Sequence, residues 1–234
     1  MATAAAPCGV ITITTDFGHQ GPFVGVIKGR ILTRFPEARL IDLTHEIVVH
    51  WPAEAGFWLA RSFNYFPAGT VHMAVVDPGV GTSRHIVVAR AAGHYFLAPD
   101  NGLLAPVAAE LAAGRCRVED LGEEVTSLVP SWVEDPTVDS RSVSGVVITI
   151  DHFGNLITNI DGTLIERFRL PLVHAGNHAF PVLRTYGDTR PGEYLALVNS
   201  FGVIEIARAE NSAAEGLGLS RGAPVVVRDR TDQP

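Results

Sequence analysis

A change in the spacing of strand and helix signals near residue 128 constrains the fold of this chain more than any other feature. Before it, short β-branched runs alternate with segments whose apolar residues recur at helical spacing. This alternation predicts an α/β layer with a largely parallel sheet. The predicted strands cover residues 9–14, 38–43, 70–76, 85–90 and 95–98, and the predicted helices cover 22–35, 54–63 and 102–113.

After that point, strand signals follow one another closely with little helix between them. They cover residues 144–150, 156–160, 194–198, 203–207 and 224–228. Such spacing predicts a small all-β domain, an antiparallel barrel or sandwich, and we expect the barrel-like form. The polar, turn-rich stretch at 130–142 is interpreted as a linker. The prediction is therefore an α/β domain over 1–129 and a β-barrel domain over 143–234.

Composition excludes several classes of protein. Hydrophobic residues make up 47% of the 234 residues, enough for a sizeable core, and the net charge of −7 argues against non-specific nucleic-acid binding. Cys8 and Cys116 lie too far apart to indicate a disulfide framework or a zinc ribbon. Neither a signal peptide nor an apolar run of about 18 residues is present, so we expect a cytoplasmic protein without a membrane span.

Two acidic residues come directly after predicted strands of the first half, Asp16 and Asp77. In open α/β sheets, ligands bind beyond the carboxyl ends of the strands, so both carboxylates are candidates for a binding site. The alternative, that each only caps its own turn, stays open. Arg84 follows Asp77 across a glycine-rich turn, and the two side chains could form either an orienting pair in the site or a structural salt bridge.

The segment from His45 to His50 superficially suggests a zinc protease. Its spacing is one residue longer than HExxH, so the two imidazoles would not share a helical face, and no metal site is predicted. Trp51 follows in the same loop, where it could stack on a flat ring or fill a core.

Two loops of the second half gather amide, hydroxyl and aromatic groups, at residues 151–155 and 199–202. These groups suit the recognition of an adenine or an amino-acid head group. As isolated turns, the same residues would be unremarkable.

Seven motifs together resemble the S-adenosyl-L-methionine (SAM) hydroxide adenosyltransferase family, which is related to the fluorinase and chlorinase. They are ITTDFG, VGVIKG, IDLTHEI, FPAGTVHMAVVDPGVGTSR, APDNGLL, DHFGNLITNI and NSFGVIEIA. The resemblance implies an α/β domain followed by a small β-barrel, and a homotrimer with active sites between subunits. It also implies a reaction, the displacement at the 5′ carbon of SAM by water or hydroxide, which gives adenosine and methionine. SAM is the substrate, and no cofactor or metal is implied.

The resemblance also implies roles for individual residues. Asp77 and Arg84 belong to the water-activating set, and because the halogenating relatives lack the aspartate, we expect water rather than halide as the nucleophile. Asp16 would hold the ribose hydroxyls. The other implied substrate contacts are Trp51 as a pocket wall, Asp151 at the methionine ammonium, Phe153 and Asn155 at the adenine, Tyr186 stacked on it, Ser200 at the methionine carboxylate, and Phe201 where the fluorinase has an arginine.

One departure from the family pattern bears on activity. Family members carry a further segment after the DNGLL motif that ends in F-H-G-R-D, and its histidine completes an Asp–Arg–His set. Here residues 100–104 run directly into 105–109. His85 and His94 are the candidates for a replacement imidazole, although neither matches the family position. The sequence predicts a metal-independent SAM hydrolase, with a catalytically impaired SAM- or adenosine-binding protein of the same fold as the alternative.

Overall fold

Two units make up the chain, Met1–Trp132 and Val133–Pro234. A computed structural model describes residues 5–77, 87–98 and 135–230 of them. The predicted helix over residues 102–113 lies outside this described part. Within it, none of the helices combines the length and the apolar character that crossing a membrane requires.

In the described part of the first unit, five strands form one sheet. They are β1 (Val10–Thr15), β2 (Arg39–Thr44), β3 (Val71–Val75), β4 (Val87–Ala91) and β5 (His94–Ala98). The order across the sheet is β2-β1-β3-β5-β4, in which only β4 runs antiparallel to its neighbour. The largely parallel sheet that the sequence predicts is therefore confirmed.

Burial explains why β1 has no alternation of polar and apolar residues. All of its residues are buried, so both faces of this central strand are covered. A parallel strand covered on both faces is typically a continuous β-branched run, which VITITT is. The core of this unit combines residues of β1, β3 and β5 with one from the first helix, and it contains Ile11, Ile13, Ile31, Val71, Met73 and Leu97.

Two helices follow the first two strands, α1 (Phe23–Arg34) and α2 (Pro52–Ser62). Pro52 fits the first position of α2 because that position needs no backbone N–H donor. The buried Glu54 carboxylate in the first turn accepts a hydrogen bond from the Val48 N–H at 2.8 Å. This contact fastens the loop before α2 to the helix, so the entry to α2 is well defined.

The register of the sheet brings three strand ends to one edge. Thr15 of β1 lies opposite Val75 of β3, and Thr14 lies opposite Thr44 of β2. The carboxyl ends of β1, β2 and β3 therefore meet, and the residues that follow them share that edge. Asp16 follows β1, His45 follows β2, and Asp77 comes two residues after β3.

The second unit is a closed barrel of seven strands with an eighth at its side. The strands are β6 (Thr137–Val138), β7 (Ser142–Ile150), β8 (Leu156–Asp161), β9 (Pro171–Ala175), β10 (His178–Leu183), β11 (Tyr194–Val198), β12 (Val203–Arg208) and β13 (Pro224–Asp229), with a short helix α3 (Ala213–Leu217). The order β13-β9-β10-β11-β12-β8-β7-β6 closes because β13 also pairs with β7. Closure leaves the seven strands β7 to β13 without an open edge, as the barrel prediction requires.

The second unit differs from the sequence prediction in three respects. The stretch at 130–142, predicted as a linker, contains β6 and the first residue of β7, because residues 137–138 pair with β7. The pairing of β10 with β11 is parallel, whereas the barrel's other pairings are antiparallel. The hairpin of β9 and β10 was also not predicted, although its Gly176-Asn177 turn is a hairpin signal. Pro181 and the histidines of this segment interrupt the strand pattern and conceal it.

Candidate functional site

Asp16 links the two loops at the carboxyl edge of the first unit. Its Oδ2 accepts a hydrogen bond from the backbone N–H of His50 at 2.9 Å. His50 adopts a left-handed conformation with φ of 62°, which is unusual for a non-glycine residue. The carboxylate is thus fixed by a neighbouring loop. Within the described residues its second oxygen, Oδ1, accepts no hydrogen bond.

Trp51 caps the start of α2 and carries a polar atom without a partner. Its Nε1 is buried, and no acceptor for it is found among the described residues. Buried indole N–H groups usually find an acceptor, so an unpaired one needs an explanation. A ligand acceptor at this position would provide one, which favours the ligand-facing interpretation of Trp51 over an ordinary core tryptophan.

Asp77 lies on the same edge, after β3, with only 6% of its surface exposed. Burial makes a carboxylate dependent on the groups around it, since an isolated buried charge is costly. Arg84, the predicted partner of Asp77, and His85 lie outside the described residues.

His94 does not lie near Asp77. It begins β5, and the next residue, Tyr95, lies opposite Val71, the first residue of β3. His94 is therefore at the amino edge of the parallel sheet, and the length of β3 separates it from the carboxyl edge by roughly 16 Å. Its Nδ1 contacts His72 Nε2 at 3.2 Å inside the core. The expectation that His94 could replace the family histidine is wrong for this reason.

In the second unit, Asp151 organises the loop between β7 and β8. Its Oδ1 accepts hydrogen bonds from the backbone N–H groups of Phe153 and Asn155, both at 2.9 Å, and its Oδ2 accepts one from Asn155 Nδ2 at 3.0 Å. Phe153 is 75% exposed, whereas Asn155 is buried. The loop therefore presents an aromatic ring beside an amide whose orientation Asp151 fixes.

A buried glutamate that the sequence analysis missed anchors Tyr186. Glu205 lies in β12 and is 3% exposed; its Oε1 accepts a hydrogen bond from the Tyr186 hydroxyl, and its Oε2 accepts one from Asn199 Nδ2 at 3.1 Å. The Tyr186 ring remains about half exposed. Fixing the hydroxyl while leaving the ring accessible gives an oriented aromatic surface. The sequence does contain one signal that could have identified Glu205, since it is a single acidic residue inside the apolar run VIEIA.

The pKa values of this group reflect its burial and its shared charge. Burial raises the pKa of Glu205, an effect that the hydrogen bonds from Tyr186 and Asn199 partly offset. Burial raises the pKa of Tyr186 strongly, and the hydrogen bond to Glu205 adds to the increase. The negative charge of Asp151 raises both pKa values further, so the loop after β7 and the Tyr186–Glu205 pair lie close enough to interact.

Ser200 and Phe201 belong to the turn between β11 and β12. Asn199 Oδ1 accepts hydrogen bonds from the N–H groups of Phe201 at 3.0 Å and Val203 at 3.3 Å. Ser200 is exposed and Phe201 is partly buried. Because Asn199 also binds Glu205, this turn is tied to the group that holds Tyr186.

The described residues contain no group of three or more His, Cys, Asp or Glu side chains suited to a metal ion. The sequence analysis rejected a zinc site at His45 and His50. His45 is buried and contacts the Thr15 hydroxyl, whereas His50 is exposed.

Comparison with known proteins gives a consistent result over most of the chain. The family model for the SAM hydroxide adenosyltransferase N-terminal domain matches residues 11–142, and the model for the C-terminal domain matches residues 145–226. A protein of Thermus thermophilus named (R)-S-adenosyl-L-methionine hydrolase is 32% identical over 90% of this chain and 96% of its own length. A fluorinase of an Actinoplanes species is 26% identical over 93% of this chain and 97% of its own. The crystal structure of an uncharacterized conserved protein from Thermotoga maritima matches with a TM-score of 0.84 and 30% identity, covering 93% of this chain and 99% of that one.

The alignments to the hydrolases are longer than this chain. The one with the Thermus thermophilus protein spans 253 positions, compared with the 234 residues here, and the one with a Salinispora tropica protein of the same name spans 254. These relatives therefore carry residues for which this chain has no counterpart.

Proposed function

The chain belongs to the SAM hydroxide adenosyltransferase family, and from that premise we propose that it hydrolyses SAM to adenosine and L-methionine. The observation that carries the proposal is the pair of carboxylates, Asp16 and Asp77, at the carboxyl ends of two adjacent parallel strands. Ligands bind at this edge in sheets of this type. The names of the hydrolase relatives, at 30–32% identity over most of the chain, support the same activity.

The chemistry requires little from the protein beyond positioning. The oxygen of a water molecule attacks C5′ of the ribose; the new C5′–O bond forms as the C5′–S bond breaks, and the bonding electron pair leaves with the sulfur of methionine. The sulfonium is already a good leaving group, so no metal or cofactor is needed to expel it. An aligned nucleophile in a site that excludes bulk water is needed. Asp77 would orient the attacking water and take its proton, with Arg84 beside it.

In the first unit, the contacts of two residues support nucleoside binding. His50 N–H holds one oxygen of the Asp16 carboxylate, which leaves the other to accept hydrogen bonds from the ribose hydroxyls. Trp51 would form a wall of the pocket, and its indole N–H, for which the described residues supply no acceptor, would donate to the ligand.

In the second unit, exposed aromatic rings and fixed amides support recognition of adenine and methionine. The proposed contacts are Tyr186 stacked on the adenine, Phe153 and Asn155 at its edge, Asp151 at the methionine ammonium, and Ser200 and Phe201 near the methionine carboxylate. Glu205 would act through Tyr186, because their hydrogen bond anchors the hydroxyl end of the ring and so holds the ring in place for stacking.

We further propose a homotrimer in which each site combines the first unit of one subunit with the second unit of its neighbour. This arrangement rests on the family resemblance alone.

A second candidate function is a SAM- or adenosine-binding protein with little turnover. The observation in its favour is that the alignments to the hydrolases are longer than this chain. The resemblance places the family's third catalytic group, a histidine, in a segment after DNGLL, where this chain runs directly on. The location of His94 at the opposite edge of the sheet removes one replacement.

Incubation with SAM in H₂¹⁸O separates these possibilities. Hydrolysis at C5′ predicts adenosine with ¹⁸O in its 5′-hydroxyl, together with unlabelled methionine, as detected by liquid chromatography and mass spectrometry. Bound SAM that is released unchanged would contradict the hydrolase and support the binding protein. The same reaction in chloride tests for a halogenated nucleoside, which the presence of Asp77 argues against.

A further inference from the structure

A line of four side chains runs beneath the carboxyl edge of the first unit and ends at the loop that carries Asp16. Lys28 Nζ donates to Asp42 Oδ2 at 2.6 Å. Asp42 Oδ1 lies 3.1 Å from His45 Nε2, and His45 Nδ1 lies 2.9 Å from Thr15 Oγ1. We call Asp42, His45 and Thr15 the His45 relay. Its members come from β1, β2 and the residue after β2, so the pairing of these strands assembles it.

His45 Nε2 lies 3.1 Å from Asp42 Oδ1, an electrostatic contact that does not have the geometry of a hydrogen bond. We assign the imidazole proton to Nε2, because a lone pair there would face the carboxylate oxygen. Nδ1 is then the acceptor, and the Thr15 hydroxyl donates to it. The Thr15 oxygen in turn accepts the Phe17 backbone N–H at 3.2 Å. The Phe17 N–H, the Thr15 hydroxyl and the His45 Nε2–H therefore all point towards the Asp42 end of the relay.

The charge at the far end of the relay is stable at neutral pH. Burial acts to raise the pKa of Asp42, but the contacts and charges of Lys28 and His45 outweigh it and lower the pKa. Asp42 is therefore ionised, and its charge favours a proton on the His45 nitrogen that faces it.

The relay resembles a Ser–His–Asp triad in composition but cannot supply a nucleophile. Thr15 is fully buried, and its oxygen is already engaged by the Phe17 N–H. A substrate has no access to it, so the relay acts on the structure of the loop.

The loop after β1, which carries Asp16, is held to the loop after β2 by two backbone hydrogen bonds near His45. Gly18 N–H donates to the His45 carbonyl at 2.8 Å, and Ile47 N–H donates to the Thr15 carbonyl at 3.3 Å. Asp16 lies between Thr15 and Phe17, the two residues whose hydroxyl and N–H complete the relay, and its carboxylate binds the N–H of His50.

We propose that His45 is a positioning residue that sets the direction of the Asp16 carboxylate for nucleoside binding. The proposal rests on the proposed function in one respect, that Asp16 binds the ribose. His45 touches neither substrate nor water in this scheme; it acts by accepting the hydrogen bond from Thr15.

Asn and Gln at position 45 are of nearly equal polarity, but each replaces a different nitrogen of the imidazole. Comparing them shows which nitrogen matters for nucleoside binding. The Oδ1 atom of Asn takes the place of Nδ1 and can still accept from Thr15, whereas Gln reaches towards Asp42 and leaves Thr15 without its acceptor. His45→Gln is expected to weaken adenosine binding, measured by titration calorimetry, by about tenfold, and His45→Asn is expected to retain most of the affinity. KM for SAM should rise in His45→Gln while kcat changes little, because the interaction is made equally in ground and transition states. His178→Asn, at an exposed histidine of the barrel, is the control.

A double-mutant cycle with Asp16→Ala decides whether His45 acts through Asp16. If it does, His45→Gln has no further effect on adenosine affinity in the Asp16→Ala background. Additive losses, or equal losses in the Asn and Gln variants, would overturn the proposal and leave a merely structural histidine. Thermal unfolding of each variant shows that it is folded before its affinity is compared. A wild-type protein that binds no adenosine would overturn the proposed function, and the positioning role with it; binding with additive losses overturns the positioning role alone.

Discussion

Asp16 and Asp77 follow adjacent strands, but the structure gives them different surroundings. Asp16 has one oxygen held by a backbone N–H and is partly exposed, which suits a lasting contact with a ligand. Asp77 is 6% exposed at the end of β3, which suits a group that holds one water molecule away from bulk solvent. The two residues should therefore affect different kinetic constants.

Asp77→Asn should lower kcat by about 10²–10⁴ and leave adenosine affinity close to that of the wild type, because the amide cannot take the proton of the attacking water. Single-turnover kinetics and calorimetry on the same preparation check this prediction. Asp16→Asn serves as the matched comparison, with the loss expected mainly in affinity. A kcat unchanged in Asp77→Asn would remove this carboxylate from the mechanism.

The elements of both units were largely predictable, because hydrophobic periodicity reflects burial directly. β11 matches its predicted range residue for residue, and β1 differs by one residue at each end. The common edge of Asp16 and Asp77 was also predictable, because neighbouring parallel strands end at the same edge of a sheet. The β9–β10 hairpin was not, because Pro181 interrupts a strand that only its pairing with β9 reveals.

Residues that act through tertiary contacts were less accessible to sequence analysis. The role of His45 depends on the register of β1 against β2, which the order of residues along the chain does not specify. Glu205 was overlooked because the VIEIA run predicts a buried strand and nothing more. Its role comes from hydrogen bonds with two residues that are not its sequence neighbours, Tyr186 and Asn199.

Strands β1, β3 and β5 also share a buried polar line, and we expect this line to make the stability of the first unit depend on pH. His72 is fully buried, with Nδ1 2.8 Å from Thr12 Oγ1 and Nε2 3.2 Å from His94 Nδ1. Burial, with a further contribution from the charge of His94, lowers the pKa of His72 from 6.5 to about 4. The folded state therefore keeps this imidazole neutral over a range in which the unfolded chain binds a proton.

The stability of the first unit should fall as the pH is lowered from about 6.5 to about 4, by on the order of 3 kcal/mol from this group alone. The stabilisation is fully present above pH 6.5, where His72 is neutral in both states. Urea unfolding followed by tryptophan fluorescence measures it, since all three tryptophans, Trp51, Trp58 and Trp132, belong to this unit. The His72→Asn variant should be less stable than the wild type, but its stability should change less with pH. The His178→Asn variant should show the same pH dependence as the wild type. A wild-type midpoint independent of pH would contradict the assignment.

At the scale of the whole molecule, the proposed reaction sets a requirement on cofactors. Departure of methionine from a sulfonium needs no Lewis acid, so turnover should be unchanged after prolonged dialysis against EDTA. The assay is adenosine release before and after dialysis, with a zinc-dependent hydrolase treated in parallel to show that the chelator was effective. Loss of activity that added metal restores would refute metal independence.

The proposed trimer can be tested by mixing inactive variants. Asp77→Asn and Tyr186→Ala should each be impaired, and subunit exchange between them should restore activity. In a ring where each site takes Asp77 from one subunit and Tyr186 from the next, every mixed trimer regains one intact site of three. Light scattering should give three times the mass of the chain. No recovery after verified exchange would show that a site draws both residues from one subunit.

Lys28, which binds Asp42 at the outer end of the His45 relay, is the only lysine in the chain. An acylating reagent directed at primary amines therefore has one side-chain target, besides the terminal amine, and that target contacts the relay. The extent of labelling at this single position, read from one peptide, would follow the Lys28–Asp42 contact in each variant. A composition so poor in lysine thus turns an ordinary protein modification into a chemical sensor for the geometry beneath Asp16.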